Sequence, residues 1–136
     1  MVKVIMGLKG AGKTKKLIEL VRKAAEEEHG DVVCITKGSD LTYDIPHKVR
    51  LINASEFKFG SYDFLKGFLS GLHAGNYDIT HIFIDGLYKI LDDTMEAKVE
   101  DLLAWCEKYS EQENVKFTIT ISTAEETATP GMRHYL

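Results

Sequence analysis

Eight consecutive residues, Gly7-Leu8-Lys9-Gly10-Ala11-Gly12-Lys13-Thr14, match the spacing G-x-x-x-x-G-K-[ST]. These residue types suit one task, the holding of a phosphate chain. Gly10 and Gly12 permit backbone conformations closed to larger residues and let N–H groups approach an anion. A row of such groups forms a concave nest, and the N-terminus of a following helix adds partial positive charge. In that arrangement Lys13 reaches the β- and γ-phosphates of a nucleotide, and the Thr14 hydroxyl ligates Mg²⁺. Lys9, Lys15 and Lys16 add positive charge beside the loop. The pattern therefore names Gly7, Leu8, Lys9, Gly10, Ala11, Gly12, Lys13, Thr14 and Lys15 as nucleotide-binding residues. A glycine-rich turn that matches by chance is the competing explanation. The apolar strand before the loop and the amphipathic stretch after it weigh against that explanation.

A loop of this kind needs a carboxylate near the metal, at the end of a buried strand. Ile82-Phe83-Ile84-Asp85 has that form. In a parallel sheet the end of such a strand shares the carboxyl edge with the loop, where ligands bind. Lys13 and Asp85 are thus the candidate catalytic residues, and Thr14 and Asp85 the candidate Mg²⁺ ligands, directly or through water. The bland alternative is that Asp85 merely opens a turn with Gly86. Ser122 and Thr123 end a later strand and read either as sensors of the terminal phosphate or as ordinary strand-end hydroxyls. Glu125 and Glu126 read as exposed loop charge, or as an activating carboxylate if the chain folds back to the site; Tyr43 reads as a loop aromatic, or as a contact for a base or a partner. None of the five histidines has metal-ligand spacing, and His81, set among apolar residues, reads as a satisfied core histidine.

The elements that must position these residues follow from apolar periodicity. Val2–Met6 is a short β-rich run ending at Gly7. From Lys13 to His29 the stripe Leu17, Ile18, Leu20, Val21, Ala24, Ala25 fits a helix, with Gly30 as its stop. Residues 31–36 are consecutively apolar after Asp31, as a strand buried on both faces is. Residues 37–46 read as a loop and 49–52 as a short strand. Ser61 caps an expected helix carrying Phe64, Leu65, Phe68, Leu69 and Leu72 and closed by Gly75. Gly67 and Gly71 weaken that helix, and their spacing suggests the close approach of another backbone. Residues 79–85 and 115–121 read as strands, and 94–111 as a helix; 123–136 read as a loop and a short tail. The order predicts a three-layer α/β/α fold on a mainly parallel sheet.

With 136 residues the chain reads as one minimal domain, residues 1–136. Lys and Arg number 17 against 21 Asp and Glu, so the net charge is −4, which disfavours a general nucleic-acid binder. No apolar run is long enough to span a membrane and no signal segment stands out, so a cytoplasmic location is expected. Cys34 and Cys106 lie far apart and read as buried thiols of a reducing compartment.

On these residues the chain resembles the additional-strand class of P-loop NTPases, which includes recombinase-type ATPases and thymidine kinases. The resemblance covers about residues 1–123 and implies that a strand, here 115–121, lies between the loop strand and the Asp strand. Met6–Thr14 followed by Leu17-Ile18-Glu19-Leu20, the strand ending Thr36-Lys37, and Ile84-Asp85 are similar to the nucleotide-binding half of type II thymidine kinases. The chain also resembles short bacterial proteins labelled ATPases, some of them twitching-motility proteins. Pilus-retraction motors, however, are far longer and carry acidic and histidine boxes not found here.

The departures are specific. In this class an activating Glu commonly follows the Asp, and here that position is Gly86. The zinc-binding cysteines and substrate-enclosing loop of thymidine kinases are missing, and only Arg22, Arg50 and Arg133 could serve as phosphate-binding arginines. The leading expectation is Mg²⁺-dependent ATP binding with slow hydrolysis that needs a partner or self-association, a neighbour supplying Arg50 or Arg133. The alternatives are a nucleotide-sensing adaptor without turnover, or a nucleoside or other small-molecule kinase.

Overall fold

Val2–Gly7 (β1) alternates inward and outward and ends at the first glycine of the loop. A computed structural model describes all of residues 1–136 and continues as follows. Lys13–Glu27 forms α1, Asp31–Thr36 β2, Arg50–Asn53 β3, Tyr62–Gly75 α2, and Ile79–Ile84 β4. Then come Leu87–Ile90 (α3), Glu96–Glu113 (α4), Lys116–Ser122 (β5) and Pro130–Arg133 (α5). The strands make one five-stranded, all-parallel sheet in the order β1-β5-β4-β2-β3. β5 therefore sits between β1 and β4, pairing Val2 with Phe117 on one side and Ile82 with Phe117 on the other.

Alternation along the strands divides the core between the two faces of the sheet. Val33, Ile35, Ile82, Ile84, Ile119 and Ile121 pack with Leu65 and Leu69 of α2 and Leu102, Leu103 and Cys106 of α4. Val32, Cys34 and Phe83 pack with Leu17, Val21 and Ala24 of α1 on the opposite face. The stretch between β2 and β3, irregular as expected, completes that second core with Leu41, Ile45 and Val49. On the α1 side β5 carries Lys116, Thr118, Thr120 and Ser122, so a polar stripe runs up the middle of the sheet to its carboxyl edge. No helix of the chain is long and apolar enough to cross a membrane.

Several boundaries differ from expectation for identifiable reasons. α1 stops at Glu27 rather than His29, and Gly30 is not its left-handed cap. A Cβ on Gly30 would collide with the carbonyl of Asp78, so the glycine serves a close approach at the start of β2. Ser61 does cap α2, its hydroxyl accepting from the Phe64 N–H at 3.0 Å. Gly67 and Gly71, by contrast, face open space and receive no neighbouring backbone. The four aromatics Phe57, Phe59, Phe64 and Phe68 pack on one another, with Phe57 and Phe64 partly exposed. The last residues fold onto the body: Thr129 caps α5, Met132 is buried, and the Val4 N–H donates to the Tyr135 carbonyl along the edge of β1.

His81 is only half satisfied. Its Nε2 lies 2.9 Å from Thr118 Oγ1 and its ring stacks on Phe83, while buried Nδ1 has no partner. Burial is the main cause that pushes its pKa down to about 4.

Candidate functional site

β1 delivers the chain to the carboxyl edge of the sheet at Gly7, and the next five residues turn back into α1. Gly7 allows the turn to be tight, since a Cβ there would lie 2.9 Å from the Ala11 Cβ. Gly10 (φ +89°) and Gly12 (φ +85°) occupy the left-handed region, which side chains disfavour. The Ala11 N–H donates to the Leu8 carbonyl at 3.0 Å, and Lys13 Nζ donates to the same oxygen at 3.0 Å. The Leu8 side chain itself points outward, 62% exposed.

The start of α1 is electrostatically unusual. Its N-cap is Gly12, which offers no side-chain acceptor, and its first turn contains no acidic residue. Lys13, Lys15 and Lys16 stand there instead. Cations at a helix N-terminus oppose the helix dipole, at a cost of roughly 0.3–1 kcal/mol each. The N–H groups of Gly10, Gly12, Lys13, Thr14 and Lys15 have no protein acceptor. The donors, the dipole, Lys13 and Lys15 converge on a place for an anion.

Asp85 follows β4 directly across from this turn. Thr14 Oγ1 donates to its carboxylate, 3.2 Å from Oδ2, and Thr120 Oγ1 donates to Oδ1 at 2.8 Å. The Thr120 hydroxyl in turn accepts the Gly86 N–H at 2.7 Å. Thr120 thus clamps both the carboxylate and the backbone after it, from the strand that separates β1 and β4. Two hard oxygen donors, Thr14 Oγ1 and the Asp85 carboxylate, converge as a small divalent cation requires when water and a phosphate complete its shell. No cluster of three or more His, Cys, Asp or Glu side chains offers an alternative metal centre. Beneath them Cys34 is buried, and that burial, with Asp85 adding to it, pushes its thiol up to about 12, so it stays protonated.

These groups line a cavity of about 480 Å³ on the carboxyl edge, within the size range of small-molecule sites. Lys9, Gly10, Gly12, Lys13, Thr14, Lys15, Asp85 and Ser122 all line it, so the sequence candidates are brought together there. Thr123 is not among the lining residues; its N–H is tied to the Ile121 carbonyl, and of the two hydroxyls only Ser122 reaches the cavity. Glu125 and Glu126 lie outside it, exposed, and their carbonyls accept from Arg133. Tyr43 lines a separate surface hollow with Arg22 and His47. Three lining residues escaped the sequence reading: Thr120, Tyr88 and Lys89. Thr120 looked like any alternating strand residue, and α3 is too short to show a period.

No protein-family model matches the chain, and no curated protein matches it in sequence.

Proposed function

We propose that this chain is a P-loop NTPase of the additional-strand class that binds ATP with Mg²⁺ at the carboxyl edge and hydrolyses it slowly. The observation that carries the reading is the start of α1. A helix start with no side-chain cap, three lysines and no acid in its first turn is a place that a seated anion stabilises. The position of β5 between β1 and β4 supports the class.

In this reading the nest around Gly10 and Gly12 holds the phosphate chain. Lys13 leaves the Leu8 carbonyl for the terminal phosphates, and Lys9 and Lys15 reinforce the charge. Thr14 and Asp85 would hold Mg²⁺, which neutralises charge on the phosphates when bound. Thr120 keeps Asp85 aimed, and Ser122 stands where a terminal phosphate can be sensed. Asp85 is the single carboxylate in the cavity, and Gly86 occupies the position of an activating base. Loss of a general base removes about 10²–10⁴-fold in rate, which accounts for slow turnover. That same feature favours the second reading, an ATP-responsive adaptor without turnover.

Calorimetric titration of ATP and GTP with Mg²⁺ into wild type and Lys13→Ala, with phosphate release followed on the same samples, tests both. Lys13→Ala is expected to weaken binding about 10–100-fold, the worth of a charge-assisted contact of about 1.5–3 kcal/mol. Binding with slow release supports the ATPase, and binding with none supports the adaptor. No binding of either nucleotide by wild type would refute the site itself.

A further inference from the structure

Arginines commonly stabilise charge on a transferring phosphate, and none reaches this cavity. Arg22 donates to the Asp44 carbonyl, Arg133 to the carbonyls of Glu125 and Glu126, and Arg50 lies on β3 at the far edge of the sheet. A lysine from outside the glycine loop, Lys89, lines it instead, beside Lys9, Lys13 and Lys15. α3 begins immediately after Gly86, with the N–H groups of Lys89 and Ile90 donating to the Gly86 carbonyl at 2.9 and 3.1 Å. Leu87 and Ile90, three apart, are buried and lock this turn on the core, which leaves Lys89 to line the cavity. Lys89 makes no ion pair with any carboxylate of the chain.

Its placement also explains Gly86. That residue has φ +76°, and a Cβ on it would lie 3.2 Å from Lys89 Cδ and 3.5 Å from Cβ and Cγ. The alkyl stem of Lys89 is therefore laid across the glycine. An acidic side chain at position 86 would displace the stem and pair with the ammonium, cancelling its charge.

We propose that Lys89 is a cation supplied in cis to the terminal phosphate, in the role an arginine from a partner plays elsewhere, and that Gly86 is the space its stem requires. The inference rests on the nucleotide reading of the site and deepens it. Lys89 contacts the last phosphate of a triphosphate, so it discriminates ATP from ADP. It also removes the need for Arg50 or Arg133 of a second copy, so turnover per chain does not depend on self-association.

The test uses Lys89→Met, which keeps a long apolar stem over Gly86 and removes the charge, with Lys89→Gln as a second neutral variant and Lys89→Arg as the conservative one. Dissociation constants for Mg-ATP and Mg-ADP are measured by calorimetry, and phosphate release at saturating ATP is followed across a protein dilution series. The expected result is ATP binding weakened about tenfold in both neutral variants, ADP binding changed less than about twofold, and recovery in Lys89→Arg. Wild-type turnover per chain is expected to stay constant on dilution. ATP and ADP affected equally, or neither affected, in variants that melt like wild type would overturn the role of Lys89 while leaving the site intact. Turnover that collapses on dilution would overturn the claim that the charge is complete in one chain. Wild type that binds no triphosphate would overturn the site reading, and this proposal with it.

Discussion

Replacing Thr120 by Val removes one hydroxyl and leaves nearly the same shape in a position that is 1% exposed. Two bonds go with it: the 2.7 Å bond accepted from the buried Gly86 N–H and the 2.8 Å bond donated to Asp85 Oδ1. The stranded N–H costs about 1–3 kcal/mol, and a hydrogen bond to a charged group is worth about 1.5–3 kcal/mol. Because the two share one oxygen they do not simply add, and about 2–4 kcal/mol of stability should be lost. At a mid-range urea m-value of about 2 kcal/mol/M, the unfolding midpoint falls by about 1–2 M with the slope unchanged. Thr120→Ser keeps both bonds and loses one buried methyl, at about 1 kcal/mol. The assay is urea unfolding of the three proteins followed by circular dichroism. A valine variant within about 0.3 M of wild type, or a serine variant less stable than the valine one, would refute the clamp.

Two further outcomes follow from the packing. Gly67 and Gly71 lie in α2 with open space around them, so Gly67→Ala and Gly71→Ala should each stabilise by about 0.4–1 kcal/mol, read as a rise of a few degrees in calorimetric Tm. His81 has a folded pKa near 4 against 6.5 unfolded, so below pH 6.5 the unfolded chain binds a proton the folded one refuses. Its contribution should therefore erode stability by about 3 kcal/mol as pH falls from 6.5 to 4 and level off below that. Urea midpoints taken at several pH values should show this slope in wild type and its loss in His81→Phe.

Local chemistry was the legible part of this chain. The loop from Gly7 to Thr14 is contiguous, so its spacing can be read directly, and Gly10 and Gly12 have the positive φ that their type suggests. Asp85 ends a run apolar enough to announce a buried strand, and Ser61 caps α2 with the hydroxyl that marked it. What stayed hidden depends on distant partners or on an element too short to show a period. Thr120 matters because β5 enters between β1 and β4, which places its hydroxyl beside Asp85. Lys89 comes to line the cavity because four residues, too few to show a period, form a helical turn after Gly86. Gly30 passed for a helix stop because both a cap and a close approach select glycine, and only the neighbouring Asp78 carbonyl distinguishes them.

The place of β5 has a consequence for the order of events in folding. It is the last strand in the chain, yet it lies in the sheet interior between β1 and β4. On a ribosome, the glycine loop and Asp85 emerge well before the strand that spaces them. Until Lys116–Ser122 is made, β1 has no partner strand and β4 has one open flank. Pairing across such sequence distance is slow, and exposed strand edges invite association with other chains in the interval. The candidate site thus takes its geometry when that strand inserts, and a nascent chain stalled before it carries every residue of the glycine loop without the spacing that sets them across from Asp85.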